Sequence, residues 1–143
     1  MNNIIYNLIL GASLILMQSL FLNNINFLEY LNPFIYIYFI IYYPIKNNRS
    51  VFIILAFIYG LLIDLFSDTH GIHAASTLCI AYFRPYLFKL FFGIAYEHQV
   101  VKFNSLELKQ NIFYLFSMII IHHIILFSLA VFNLSQATLI LNN

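Results

Sequence analysis

Few side chains in this 143-residue chain can do chemistry, and the densest group of them falls between positions 60 and 85. Asp64, Asp68, His70 and His73 sit close together and combine carboxylate with imidazole, donor types that suit zinc or manganese. Their spacing matches no specific metal motif. Ser67-Asp68-Thr69-His70-Gly71 also has the make-up of a tight turn, with Asp68 or Thr69 able to cap the next helix and Gly71 to supply left-handed backbone. The turn reading is preferred, and no metal or other cofactor is expected. His122 and His123 point about 100° apart on a helix. At least one should face protein and hydrogen-bond there, as a packed neutral ring rather than a proton relay. No serine–histidine triad, Walker-type loop or His-Glu-x-x-His motif occurs, so no enzymatic activity is expected. Cys79 is the only cysteine, which excludes an intrachain disulfide and a cysteine metal cluster.

Two further charges lie within apolar sequence. Asp64 follows Gly60 by four positions, so the two share a helix face. A carboxylate inside hydrocarbon costs about 2.5–3.5 kcal/mol on insertion scales and normally faces a polar partner. Asp64 can therefore cap the nearby turn, or it can act as a buried polar anchor with Gly60 letting another backbone approach. Arg84 precedes Pro85, which should kink or split its helix. Arg84 is expected to snorkel to headgroups, the alternative being a buried partner or the carbonyls that Pro85 frees. Tyr36, Tyr38, Tyr42 and Tyr43 read as interface-belt aromatics.

The helices that carry these residues follow from composition. The chain is 63% hydrophobic and 8% charged, with net charge +1. An ordinary soluble domain is about 25% charged. A soluble globule, a disordered chain and an electrostatic nucleic-acid binder are thereby excluded. A single integral membrane domain over residues 1–143 is expected, an all-α bundle of five spans at about 4–22, 31–44, 51–66, 72–92 and 111–132. The first is read as a retained helix rather than a cleaved signal. Residues 93–110 read as a loop or interfacial helix, and the tail 133–143 as too short to cross again. A β-barrel is disfavoured because the blocks are apolar on every face. With the N-terminus in the cytoplasm, inner connections carry Lys46, Arg49, Lys102 and Lys109, and outer connections carry no Lys or Arg.

The stretch from Gly60 to Pro85 resembles the signature region of the rod shape-determining protein MreD family. Its pattern is a glycine, an aspartate four residues on, a turn ending in glycine, and a small-residue helix ending near Ala-Tyr. The matching positions are Gly60, Asp64, Gly71, Ala74, Ala75, Ala81 and Tyr82, and the Arg84-Pro85 ending is similar to the branch found in Bacteroidota. The resemblance covers about 26 residues closely. It implies a non-enzymatic, multi-pass inner-membrane subunit of the cell-elongation (rod) complex, regulating cell shape through peptidoglycan synthesis. Implied partners are an MreC-like bitopic protein, MreB, RodA and a penicillin-binding transpeptidase, with no nucleic acid. The implied fold is a helical bundle similar to the substrate-binding subunits of energy-coupling-factor transporters. Family members usually carry six spans, against five and a short tail here. Two alternatives stay open: a substrate-binding subunit of a vitamin-type transporter, with a cavity lined by Asp64, His73 or His122, and a metal-dependent membrane enzyme using Asp64, Asp68, His70 and His73.

Overall fold

In the computed structural model the described residues are 2–22, 34–43, 48–93 and 107–141, with side chains described over 5–22, 34–43, 48–93 and 107–132. All regular structure among them is helical: α1 (Asn2–Leu20), α2 (Ile37–Tyr42), α3 (Arg49–Ser67), α4 (Ile72–Phe92) and α5 (Leu108–Leu141). Among the described residues two segments are long and apolar enough to cross a membrane, Arg49–Ser67 and Leu108–Phe132. A core helix of a soluble protein passes the same test but is mostly buried. Here only 33% and 17% of the two windows are buried. Leu65, Leu90, Leu108 and Phe132 are among many large apolar side chains left bare, more than a water-facing surface normally carries.

α3 and α4 form an antiparallel hairpin, and the reason lies in small residues. Ala56, Gly60 and Ile63 on α3 and Ala74, Thr77 and Ala81 on α4 are all buried. A Cβ placed on Gly60 would lie 2.5 Å from Ala74 Cα and 2.7 Å from His73 O, and would also collide with Thr77 Oγ1. Only glycine allows that approach. Thr77 Oγ1 then lies 2.9 Å from Ala56 O on α3, and within 3.0 Å of the carbonyls of His73 and Ala74 on its own helix. Where lipid surrounds helices, such close backbone packing replaces the hydrophobic drive.

α5 packs antiparallel on α4. The Tyr114 ring meets Phe88 edge-on at 5.9 Å and Phe92 at 5.5 Å. The bundle is thus polarised. The start of α3, the end of α4 and the start of α5 share one end, which carries exposed Arg49, Lys89 and Lys109. The opposite end carries Asp64, Asp68 and His70.

Several expected boundaries shift. The bounds of α3 and α4 match those expected for the third and fourth segments, and of the two, Arg49–Ser67 is long and apolar enough to cross a membrane. The block expected at 31–44 contains a described helix of only six residues. It is entered through three-residue turns, with Ile37, Tyr38 and Phe39 bonding back to Phe34, Ile35 and Tyr36. At 1.5 Å per residue it rises only about 9 Å. α5 is longer than expected, since its 34 residues continue through the segment read as a separate tail. Nothing breaks it there: residues 133–141 contain neither Gly nor Pro. Pro85 lies inside α4 and does not divide it. Residues 94–106, most of the expected connection before α5, lie outside the described residues.

Gly60→Val should therefore destabilise the hairpin by about 1–3 kcal/mol, the usual penalty of overpacking a tight contact. Equilibrium unfolding in detergent micelles measures it, and an unchanged midpoint would refute the close-approach role.

Candidate functional site

The centre of the hairpin is a carboxylate closing the N-terminus of the neighbouring helix. A helix leaves its first four N–H groups without internal partners. Usually the N-cap side chain takes one of them. In α4 the N-cap is Gly71, in left-handed backbone at φ 92°, with no side chain to offer. Asp64 supplies the cap from α3. Its Oδ1 accepts from His73 N at 2.9 Å and its Oδ2 from Ala74 N at 2.8 Å. Ile72 N donates to Thr69 O at 3.3 Å and Ala75 N to Gly71 O at 3.0 Å, so all four groups are satisfied. Thr69 Oγ1 adds a third bond to Asp64 Oδ1 at 2.5 Å.

The carboxylate is 6% exposed. Its negative charge lies at the positive end of the α4 dipole, where it is stabilised. The connecting turn bends sharply to allow this. Asp68 and His70 both adopt left-handed backbone, at φ 53° and 54°. Their side chains are exposed and the turn carries them away from Asp64.

Asp64 is thus at once a cap and a buried anchor. Neither the Asp68 nor the Thr69 side chain caps α4; the Thr69 hydroxyl instead braces Asp64. The metal alternative loses its geometry, since no group of three or more His, Cys, Asp or Glu among the described residues could hold a metal ion.

A second polar knot lies beside the first. Tyr36 Oη is 2.7 Å from His73 Nδ1 and 2.7 Å from His122 Nε2. A phenol has one proton, so one imidazole nitrogen accepts it and the other must donate N–H. His122 Nδ1 is buried without a partner among the described residues. An orphan acceptor is tolerated more readily than an orphan N–H, which assigns the chain as His122 Nε2–H to Tyr36, and Tyr36 O–H to His73. Phe34 covers the cluster, its ring 5.6 Å from His73 and 6.0 Å from His122. Nearby, Gln18 of α1 accepts from Ile35 N at 3.0 Å. His123, the other member of the pair, is half-buried and bonds back to Ile119 O of its own helix, at 2.8 Å.

The remaining motif residues divide. Ala74 and Ala81 are buried between α3 and α4. Ala75 faces a shallow notch shared with Gly71 and Leu129 of α5. Tyr82 is exposed and stacks beneath the Arg49 guanidinium at 4.9 Å, while Arg49 donates to Tyr82 O at 3.2 Å. Pro85 is half-buried in α4.

Two expectations are overturned. Arg84 does not snorkel: it is fully buried, donates from Nη2 to Tyr43 O at 2.7 Å and lies 4.8 Å over the Phe52 ring. Tyr36 is no belt aromatic but a fully buried bridge. Tyr36 could not be singled out among its tyrosine neighbours. Gln18, a buried amide in an apolar helix, is the one further functional residue that sequence marks, since a polar side chain within hydrocarbon needs a partner.

No protein-family model, curated protein or solved structure matches this chain.

Tyr36→Phe keeps the ring and strips both imidazoles of a partner, so it should cost about 2 kcal/mol or more. In a double-mutant cycle with His122→Phe the two losses should be markedly less than additive. Strict additivity in equilibrium unfolding would refute the bridge.

Proposed function

We propose that the chain is a non-enzymatic subunit of the cell-elongation machinery, akin to the MreD family, that regulates cell shape through peptidoglycan synthesis. The observation that carries this reading is the hairpin built on Gly60 and Asp64. Among the residues that prompted the resemblance, Gly60, Asp64 and Ala74 serve one physical end, a close joint between two helices, and the Asp64 carboxylate is committed to backbone amides and Thr69. A scaffold needs shape rather than reactivity.

In this reading the chain is a multi-pass inner-membrane protein with its N-terminus in the cytoplasm, crossing at α1, α3, α4 and α5, with the segment that holds the six-residue α2 bringing the chain back between α1 and α3. The gathering of Arg49, Lys89 and Lys109 at one end supports that orientation. Its direct partner is an MreC-like bitopic protein, and the wider assembly holds MreB, RodA and a penicillin-binding transpeptidase. The transporter alternative draws less support, because the Asp64 carboxylate is turned onto backbone amides and Thr69, and the His73 and His122 rings onto Tyr36.

Asp64→Leu should abolish the joint. In cells relying on the variant, rod shape should be lost and capture of the MreC-like partner from native membranes should fall, at equal membrane levels of the chain. Normal shape with unchanged capture would refute the proposal.

A further inference from the structure

Arg84 is the one buried lysine or arginine among the described residues, and its fold environment answers only part of it. Nη2 has Tyr43 O, and the guanidinium face has the Phe52 ring. Nε and Nη1 have no partner among the described residues. A guanidinium does not shed its proton in a protein, and buried charges are normally paired. The two free donors therefore call for an oxyanion.

Tyr43 is the residue shared by this cation and a nearby open space. Its carbonyl accepts from Arg84, and the same residue lines a lateral groove of about 280 Å³ between α1 and α3. Leu8, Gly11, Ile15, Leu55 and Ile58 form much of the remaining wall. Phe52, in the first turn of α3, sets the level of Arg84 near the basic end of the bundle. That is the level at which headgroup phosphates lie when α3 spans a bilayer.

We propose that the groove and Arg84 form a binding site for an anionic phospholipid. One acyl chain lies along α1 and α3, and the phosphate reaches past the half-buried Tyr43 to the free donors of Arg84. A neutral apolar occupant would fill the groove and leave the cation unpaired. A free phosphate would pair the cation and leave the groove empty. A phospholipid does both, and the planar fork of arginine suits phosphate oxygens. The inference rests on the chain lying in a bilayer, not on its membership of any complex.

Native mass spectrometry of the full chain released from nanodiscs tests it, with phosphatidylglycerol as probe and phosphatidylcholine as comparison. The wild type should retain one phosphatidylglycerol in clear preference. Arg84→Gln should reduce that retention about tenfold, the scale of one charge-assisted contact. Ala12→Trp fills the groove from an exposed position of α1, leaves Arg84 in place, and should reduce retention as well. It decides the matter alone if Arg84→Gln fails to fold. Equal retention of both lipids by the wild type, or full retention by folded Ala12→Trp, would overturn the site. So would a captured membrane protein whose binding is lost in Arg84→Gln while lipid retention is unchanged, since the groove would then belong to a partner helix.

Discussion

The structure depends on one carboxylate reaching two backbone amides of the next helix. Asp64 sits in the last turn of α3, where the negative end of its own helix dipole disfavours a charge. The N-terminus of α4 reverses that balance. Removing a carboxylate from water is costly, and three hydrogen bonds offset the cost only when all are made. The geometry is therefore demanding. It requires the helices at near-contact distance, which Gly60 permits. It also requires a turn with left-handed backbone at Asp68, His70 and Gly71, which is unfavourable for the two residues that carry a Cβ. Strain in the turn and desolvation of the charge are both accepted for the sake of a joint with a single arrangement.

From that joint the rest of the bundle is held by a second, adjoining polar knot. His73 gives its backbone amide to Asp64 and its ring to Tyr36. Tyr36 passes the connection to His122 on α5, and Gln18 on α1 holds the backbone just before Tyr36. One end of the molecule is thus tied by hydrogen bonds across α1, α3, α4, α5 and the chain leading into α2. The other end adds aromatic packing to two arginine bonds, Arg84 to Tyr43 O and Arg49 to Tyr82 O: Tyr43 stacks on Phe52 at 5.4 Å and Tyr114 meets Phe88 edge-on at 5.9 Å. This division is sensible for helices in lipid. Apolar side chains gain little there by leaving one apolar environment for another, while polar contacts and close backbones gain specificity.

The sequence made the helices α3 and α4 legible almost to the residue, because long apolar runs bounded by polar turns leave little choice. It also made Gly60 and Asp64 legible as a pair, since a charge and a glycine four apart in hydrocarbon each need a reason. Hydropathy did not reveal where buried polar groups would meet. Tyr36, His73 and His122 come from three distant segments, and only tertiary packing brings them together. Arg84 was misread for a related reason: from sequence, a long cation near a helix end can either reach water or be covered by neighbours. Which occurs depends on Phe52 and Tyr43. The short α2 and the long α5 were missed because boundaries in uniformly apolar sequence have few capping signals to mark them.

The cap itself is open to direct observation by amide hydrogen exchange in micelles or nanodiscs. Amides in the first turn of a helix normally exchange quickly because they lack internal partners. With Asp64 bonded to both, His73 and Ala74 should exchange as slowly as amides in the middle of α4, and should lose that protection when the carboxylate is replaced by an amide at position 64. Rapid exchange at His73 and Ala74 in the native protein, beside slow exchange from Ala81 onward, would contradict the account.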